Sequence, residues 1–390
     1  MCLAVPPILK VRTVTVGVTL SRDSDSWPDA ISRAAAFNAA AKQRLEDAGF
    51  EVQTTRIATN SFEEYVDASN SASAMAAFRS LDGVLVSHGA GNLFNAGPAR
   101  SAEGVALIPE FIKLGPRISA SGVVTPFETE RAQQVARAIL RIAAETERGE
   151  GNFQFCAAFN VPPGIPFFPA AYHEGEAPSF ALGCETSELL AAALPPANGD
   201  LALAKRRLIQ TFTEQMRPLE DLAHEISAEH GIAYGGIDAS VAPNPSATPL
   251  TSSFESLGLG RFGDSGTLAA CALVTSALKE LELKITGYSG LMLPPLEDAG
   301  LAARANEGTY SVHDLLAYSA VCGLGLDTVP IPGHVEPAKL ASLLLDASAL
   351  AYRLQKPLTC RLFPVPGKRA GELTEFQNPY LCNAKIFDVP

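Results

Sequence analysis

Short β-branched runs separated by longer helical stretches recur along the whole chain, and this alternation restricts it to folds whose strands are buried against layers of helix. Val11-Arg-Thr-Val-Thr-Val-Gly-Val-Thr19 places Val11, Thr13 and Thr15 on one face and reads as a strand. Pro28 opens an Ala-rich helix to about Ala48, Gly49 supplies its stop, and Phe50 to Ile57 is the next strand. Ser61-Phe-Glu-Glu64 has capping-box spacing, and Asp82-Gly-Val-Leu-Val-Ser87 reads as a buried strand that ends at a Gly-rich turn. The alternation continues with strands at 117–124, 153–159, 179–183, 232–240, 283–286 and 356–363. Helices are expected after Thr125-Pro-Phe-Glu128, from Glu185, over 200–229 with a break at Pro218, over 265–280, and from Ser311 and Glu336. Pro-rich stretches at 161–170, 242–249 and 327–333 read as ordered loops at one edge of the sheet rather than as linkers, since apolar segments flank them. The expected unit is one large α/β domain over 1–390, divisible into lobes at 1–170 and 171–390.

Composition removes several function classes. With 30 Lys+Arg against 42 Asp+Glu the net charge is −12, so the basic footprint of a nucleic-acid or anionic-membrane partner is absent. The uncharged run from Gly151 to Tyr172 is interrupted by Pro162, Pro163, Pro166 and Pro169 and is not a spanning helix. Seven widely spaced cysteines and a start without an export signal fit a reducing, cytoplasmic setting.

The chain has no P-loop, no nucleophile elbow, no H-E-x-x-H and no C-x-x-C. The turn His88-Gly-Ala-Gly-Asn92 has a Gly-x-Gly but no dinucleotide fingerprint, so no nucleotide cofactor is expected; its backbone N–H groups are candidates to meet a substrate anion. Tyr172-His-Glu-Gly-Glu-Ala177 ends the Pro-rich run and offers His173 and Glu176 as an acid/base pair. Asp238 sits at the end of an apolar strand, where it either caps its own backbone or faces a cleft. Asp264, Ser265 and Thr267 read as caps of the following helix. Ser289, Glu297 and Asp298 follow a strand, and Cys322 precedes Asp327 at the end of an apolar segment. Carboxylates grouped at strand ends suit a divalent-cation or acid/base site, with Glu297, Asp298 and Asp327 as metal-ligand candidates.

Taken in order, these segments resemble the bacterial and archaeal family known as domain of unknown function family 711. The matching residues are Arg12-Thr-Val-Thr-Val-Gly17, Asn160, Pro166, Ala170-Ala-Tyr-His173, Gly236-Ile-Asp-Ala-Ser-Val-Ala-Pro-Asn-Pro245 and Gly266-Thr267. Ser289-Gly290, Pro294, Glu297-Asp298, Cys322, Gly325-Leu-Asp327, Ile331-Pro332 and Arg361-Leu-Phe-Pro364 complete them. The resemblance implies a fold like that of pyruvate formate-lyase and other glycyl-radical enzymes, a barrel of about ten strands in two halves surrounded by helices. It does not imply their chemistry: the C-terminal glycines, Gly367 and Gly371, lack the Arg-Val-x-Gly-aromatic setting, so no glycyl radical is expected. The resulting expectation is a cytoplasmic homodimeric enzyme that hydrolyses or lyses a small polar metabolite. His173, Glu176 and Asp238 would be its catalytic groups, and His88, Asn160, Ser289 and Cys322 its substrate contacts. The competing expectation is a non-catalytic ligand-binding or regulatory protein on the same barrel, which binds a small molecule without turning it over.

Overall fold

The computed structural model describes residues 8–87, 92–194 and 199–389. Its strands are β1 (Lys10–Val18), β2 (Val52–Thr59), β3 (Asn92–Ala99), β4 (Ile118–Val123), β5 (Phe155–Phe159), β6 (Ser179–Glu185), β7 (Ala233–Asp238), β8 (Gly325–Pro332) and β9 (Leu358–Val365). The helices are α1 (Trp27–Asp47), α2 (Phe62–Tyr65), α3 (Ser71–Ser87), α4 (Ala102–Ile112), α5 (Thr129–Glu145) and α6 (Ser187–Ala193). They continue with α7 (Leu201–His230), α8 (Leu250–Glu255), α9 (Thr267–Lys279), α10 (Ala299–Glu307), α11 (Val312–Ser319) and α12 (Pro337–Arg353). No helix among the described residues is long and apolar enough to cross a membrane.

All nine strands form one mixed sheet in the order β7-β6-β1-β2-β3-β4-β5-β9-β8. β1 to β5 run parallel, and β6 and β9 pair antiparallel to β1 and β5. β7 and β8 then pair parallel to β6 and β9, so strands from both sides of residue 170 share the sheet. The segment 284–292 continues from β7: Ile237 N–H donates to Lys284 O at 2.8 Å, Val241 N–H to Gly290 O at 3.0 Å and Met292 N–H to Val241 O at 3.1 Å. On its far side Gly323 N–H donates to Leu291 O at 2.7 Å, just before β8 begins.

Side-chain alternation divides the sheet into two unlike faces. Val14, Val16, Ile57, Phe94, Ala120, Ala157, Cys360 and Leu362 point outward into the main core, which they share with Ile31, Phe111, Ile139, Phe212 and Leu344 of the helices. Each such buried Ile, Leu or Phe contributes about 1.5–3 kcal/mol. The inner face carries Thr13, Thr15, Arg56, Asn95, Ser119, Cys156, Asp327, Thr359 and Arg361, and a second apolar cluster of Cys156, Ile165, Phe167, Ala170, Ala242, Tyr288, Met292 and Leu324 lies against it.

Several expectations are corrected here. Residues 82–87 form the last turns of α3, because Ala74, Phe78, Leu81 and Leu85 continue one helical stripe. The Gly-rich stretch 88–91 lies outside the described residues, and strand β3 begins at Asn92. α7 runs unbroken through Pro218, held by the buried face of Leu208, Phe212, Met216, Leu219, Leu222 and Ile226. The stretch 327–333 is largely strand β8, where Pro330 and Pro332 are tolerated because β8 ends the sheet order and needs no further ladder donors. The Pro-rich run 161–170 is not at the sheet edge: it crosses the inner face, where Thr15 Oγ1 donates to Pro166 O at 2.8 Å and Asn95 Nδ2 to Pro169 O at 2.7 Å.

Candidate functional site

Beneath the Pro-rich loop, where β1 to β5 begin, the inner face encloses a cavity of about 120 Å³. Arg12, Arg56, Cys156, Thr359, Arg361 and Asp327 reach it from strands, Tyr288 and Met292 from segment 284–292, and Glu297 from the turn that follows it. Two irregularities aim charges inward. Strict alternation would send Arg12 to the Val14 side, but the pairing of β1 with β6 shifts between Val11 and Thr13 and turns Arg12 to the cavity. In β8 the register shifts between Leu326 and Val329, with Thr328 at φ 42°, so Asp327 faces the cavity while Val329 returns to the core.

The charges form an ordered array. Arg361 Nε donates to Asp327 Oδ1 at 2.6 Å and its Nη2 to Glu297 Oε1, while its guanidinium stacks 4.8 Å from the Phe153 ring centre. Arg12 Nη2 lies 3.7 Å from Glu297 Oε2, and its Nη1 donates to Glu185 Oε2 at 3.1 Å, which Gln53 Nε2 also reaches at 2.8 Å. Glu297 is thus gripped by two guanidinium groups. Burial pushes its carboxyl above the usual range, Arg361 opposes that, and Asp327 adds to the rise. Burial also works against the Arg361 charge, but Asp327 and Glu297 outweigh it and hold the guanidinium firmly protonated.

Arg56 differs from its neighbours. Only 8% exposed, it donates from Nε to Thr54 Oγ1 at 3.2 Å and stacks 5.0 Å from the Phe168 ring centre. Among the described residues no carboxylate stands within ion-pair distance of it. Burial pulls its pKa down to about 9; Arg12 and Arg361 push the same way and Glu297 opposes them.

The family described as Uncharacterised ACR (DUF711) matches residues 7–377, almost the whole chain. The chain belongs to the DUF711 family. Among its curated relatives, a UPF0210 protein of Pyrobaculum arsenaticum is 33% identical over 273 residues, covering 67% of this chain and 59% of the relative. The UPF0210 proteins of Pyrobaculum islandicum and Desulforudis audaxviator are each 28% identical and cover 94% of this chain, with 84% and 88% of their own lengths matched. The chain therefore spans less than two thirds of the first of these relatives and most of the other two.

Within this DUF711 chain the expected site residues do not form one centre. Glu297 and Asp327 share the cavity through Arg361, but Asp298 does not join them: its Oδ1 accepts from Leu301 N at 2.7 Å and its Oδ2 from Leu250 N at 2.9 Å, so it caps α10 and anchors α8. Among the described residues no three His, Cys, Asp or Glu converge as a metal-ligand group. Asp238 is fully buried and accepts from Ser240 N–H and Oγ and from the N–H groups of Tyr288 and Ser289, at 2.5–3.0 Å. Ser289 Oγ donates to Thr286 O at 2.7 Å and accepts from Ala239 N at 3.1 Å. Asp238 and Ser289 thus hold segment 284–292 onto β7.

His173 sits at the other end of the interior, where its N–H donates to Thr59 O and a Cβ on Gly17 would lie 2.4 Å from its Nδ1. Along β1, the five residue steps from Arg12 to Gly17 span about 17 Å. The imidazole is buried, its Nε2 makes no hydrogen bond, and burial lowers its pKa. Glu176 is exposed in the loop after it, and Asn160, at φ 51° after β5, lines a separate cavity with Arg100, Tyr172 and Tyr352. Cys322 is buried, and burial raises its thiol pKa although Lys356 opposes the rise. His88 lies outside the described residues.

The sequence reading missed Arg12, Arg56 and Arg361 as site residues, although the first and last fall in matched family segments. For Arg56 and Arg361 the signal is a period-2 polar register inside otherwise buried strands, as in Thr13-x-Thr15, Thr54-x-Arg56, Ser119-x-Ser121 and Thr359-x-Arg361. A strand whose second face repeats hydroxyls and guanidinium groups is facing a polar interior.

Proposed function

We propose that the protein is an enzyme that carries out acid/base hydrolysis or lysis of a small polar metabolite in the central cavity, with Glu297 as the proton-transfer group. The observation that carries this reading is the buried Arg12–Glu297–Arg361–Asp327 array opening onto a cavity, since buried ion arrays are costly and weak as fold stabilisers. A carboxyl that burial pushes upward while cations hold its position suits proton transfer to and from a bound substrate. A cavity below the 300–1,000 Å³ typical of cofactor and drug-sized pockets suits a small ligand. The placement of Glu297 and Asp327 on one guanidinium favours acid/base work over cation ligation, and the separation of His173 from the array favours Glu297 over the His173–Glu176 pair. The finer fold in this proposal is a ten-strand, glycyl-radical-enzyme-like barrel in two parallel five-strand halves. It is supported by the ladder from β7 to segment 284–292, by the Gly323–Leu291 hydrogen bond, and by the antiparallel β1–β6 and β5–β9 seams.

A turnover screen of small polar metabolites with the full chain tests the function. Turnover should fall by roughly 10²–10⁴ in Glu297→Gln with the fold retained. Unchanged turnover in that variant would remove Glu297 from the chemistry, and saturable binding without any turnover would identify a non-catalytic binding protein.

A further inference from the structure

We infer that the central cavity recognises a small monocarboxylate, whose carboxylate is clamped by the in-plane edge of Arg56. This rests on the acid/base reading above for what happens after binding, but the recognition itself stands on the geometry of Arg56. Arg12 and Arg361 are committed to Glu185, Glu297 and Asp327, whereas Arg56 faces the same cavity with a hydroxyl and an aromatic ring as its partners. Thr54 takes the Nε–H and Phe168 takes the flat face of the guanidinium. What remains is the Nη1/Nη2 pair, a planar fork matched to the two oxygens of a carboxylate.

The charge count selects the class further. Arg117, which also lines the cavity, is paired with Asp82, and Arg12, Arg56 and Arg361 are balanced by Glu185, Glu297 and Asp327, so the ionised cavity is neutral and one anionic charge is compensated when Glu297 takes up a proton. Burial favours that neutral form of Glu297. A phosphate dianion would bring a second charge beside Asp327 and Glu297 and would need more donors than one free fork provides. The Phe168 ring orders the fork in advance, so little side-chain entropy is lost on binding.

The test is binding of acetate, pyruvate and lactate to the full chain by ligand-observed NMR, with acetamide and inorganic phosphate as the comparison probes. At least one carboxylate should bind saturably and more tightly than acetamide or phosphate. Arg56→Gln should weaken it by roughly 10- to 100-fold, the range of a hydrogen bond to a charged group. Because Arg56 makes no direct ion pair with a protein carboxylate, Arg56→Gln should nearly keep its melting temperature, whereas a merely structural arginine would lose stability and leave binding unmoved. Arg56→Lys, which keeps the charge without the fork, should fall between the two. Equal binding of acetamide, tighter binding of phosphate, or full carboxylate affinity in Arg56→Gln would overturn the assignment. Glu297→Gln separates the two claims: it should bind the carboxylate and lose turnover. If it turns over normally while Arg56→Gln fails to bind, the acid/base reading falls and the carboxylate assignment stands.

Discussion

Arg361 serves two carboxylates at once, so its removal does more than delete hydrogen bonds. In Arg361→Met the buried carboxyl groups of Glu297 and Asp327 would face one another without their shared cation, at a cost of about 3–5 kcal/mol at neutral pH. Their mutual repulsion raises a folded-state pKa above the unfolded one, so stability lost at pH 8 should return in part as pH falls and one carboxyl takes up a proton. Urea unfolding at pH 8 and pH 5 checks this, and an equal loss at both values would show that the pair is not coupled. His173 runs the opposite way. Burial depresses its pKa below the ordinary imidazole value near 6.5, so the unfolded chain binds a proton that the folded chain resists. Its contribution is present above pH 6.5 and is lost as pH falls through and below that value. His173→Asn should flatten the acid limb of the stability profile, and an unchanged limb would assign that limb to other groups.

At the scale of the element, β8 shows how an irregular strand places a charge. Thr328 combines φ 42° with a buried hydroxyl that makes no hydrogen bond, an expensive conformation for a β-branched residue. Thr328→Gly should therefore be neutral to stabilising by about 1 kcal/mol, the relieved strain slightly exceeding the entropy that glycine adds. The same change should loosen Asp327 and reduce turnover; a loss of more than about 1 kcal/mol in urea unfolding would show that the bulge is unstrained. This element also marks the limit of what the sequence declared. Strand and helix alternation was legible because outward residues such as Val14, Ile57 and Leu362 repeat with the right period. Glu297 and Asp327 were legible as carboxylates among apolar segments. The bulges at Arg12 and Thr328 were not, because they arise from pairing between strands far apart in sequence, and the helical identity of 82–87 was hidden because a buried strand and a buried helix end share the same apolar run. Asp238 and Asp298 looked like site residues for the same reason that they are useful caps: each is a carboxylate at the end of an apolar element.

For the whole molecule the decisive contact is backbone on backbone. A Cβ on Gly290 would come within 2.5 Å of Gly323 Cα, at the place where segment 284–292 meets the start of β8. Gly290→Ala should part the two and break the Gly323–Leu291 hydrogen bond, costing about 1–3 kcal/mol or more. Amide exchange should accelerate first at Leu291 and Gly323, and a cost that is not additive with Gly323→Ala would show that both act on one contact. Nothing in composition or periodicity announced what lies against the polar face of the sheet. The Pro-rich loop lies there, and its position has a consequence in time. It is made between β5 and β6, and the partner that flanks β5 on the other side is β9, the last strand of the chain. During synthesis that flank of β5 stays open until β8 and β9 have been made, after the other seven described strands. A chain stopped before Leu358 would carry Ile165, Phe167 and Met292 beside an unpaired β5 edge, so the pairing of β9 with β5 is a late, closing contact of this sheet.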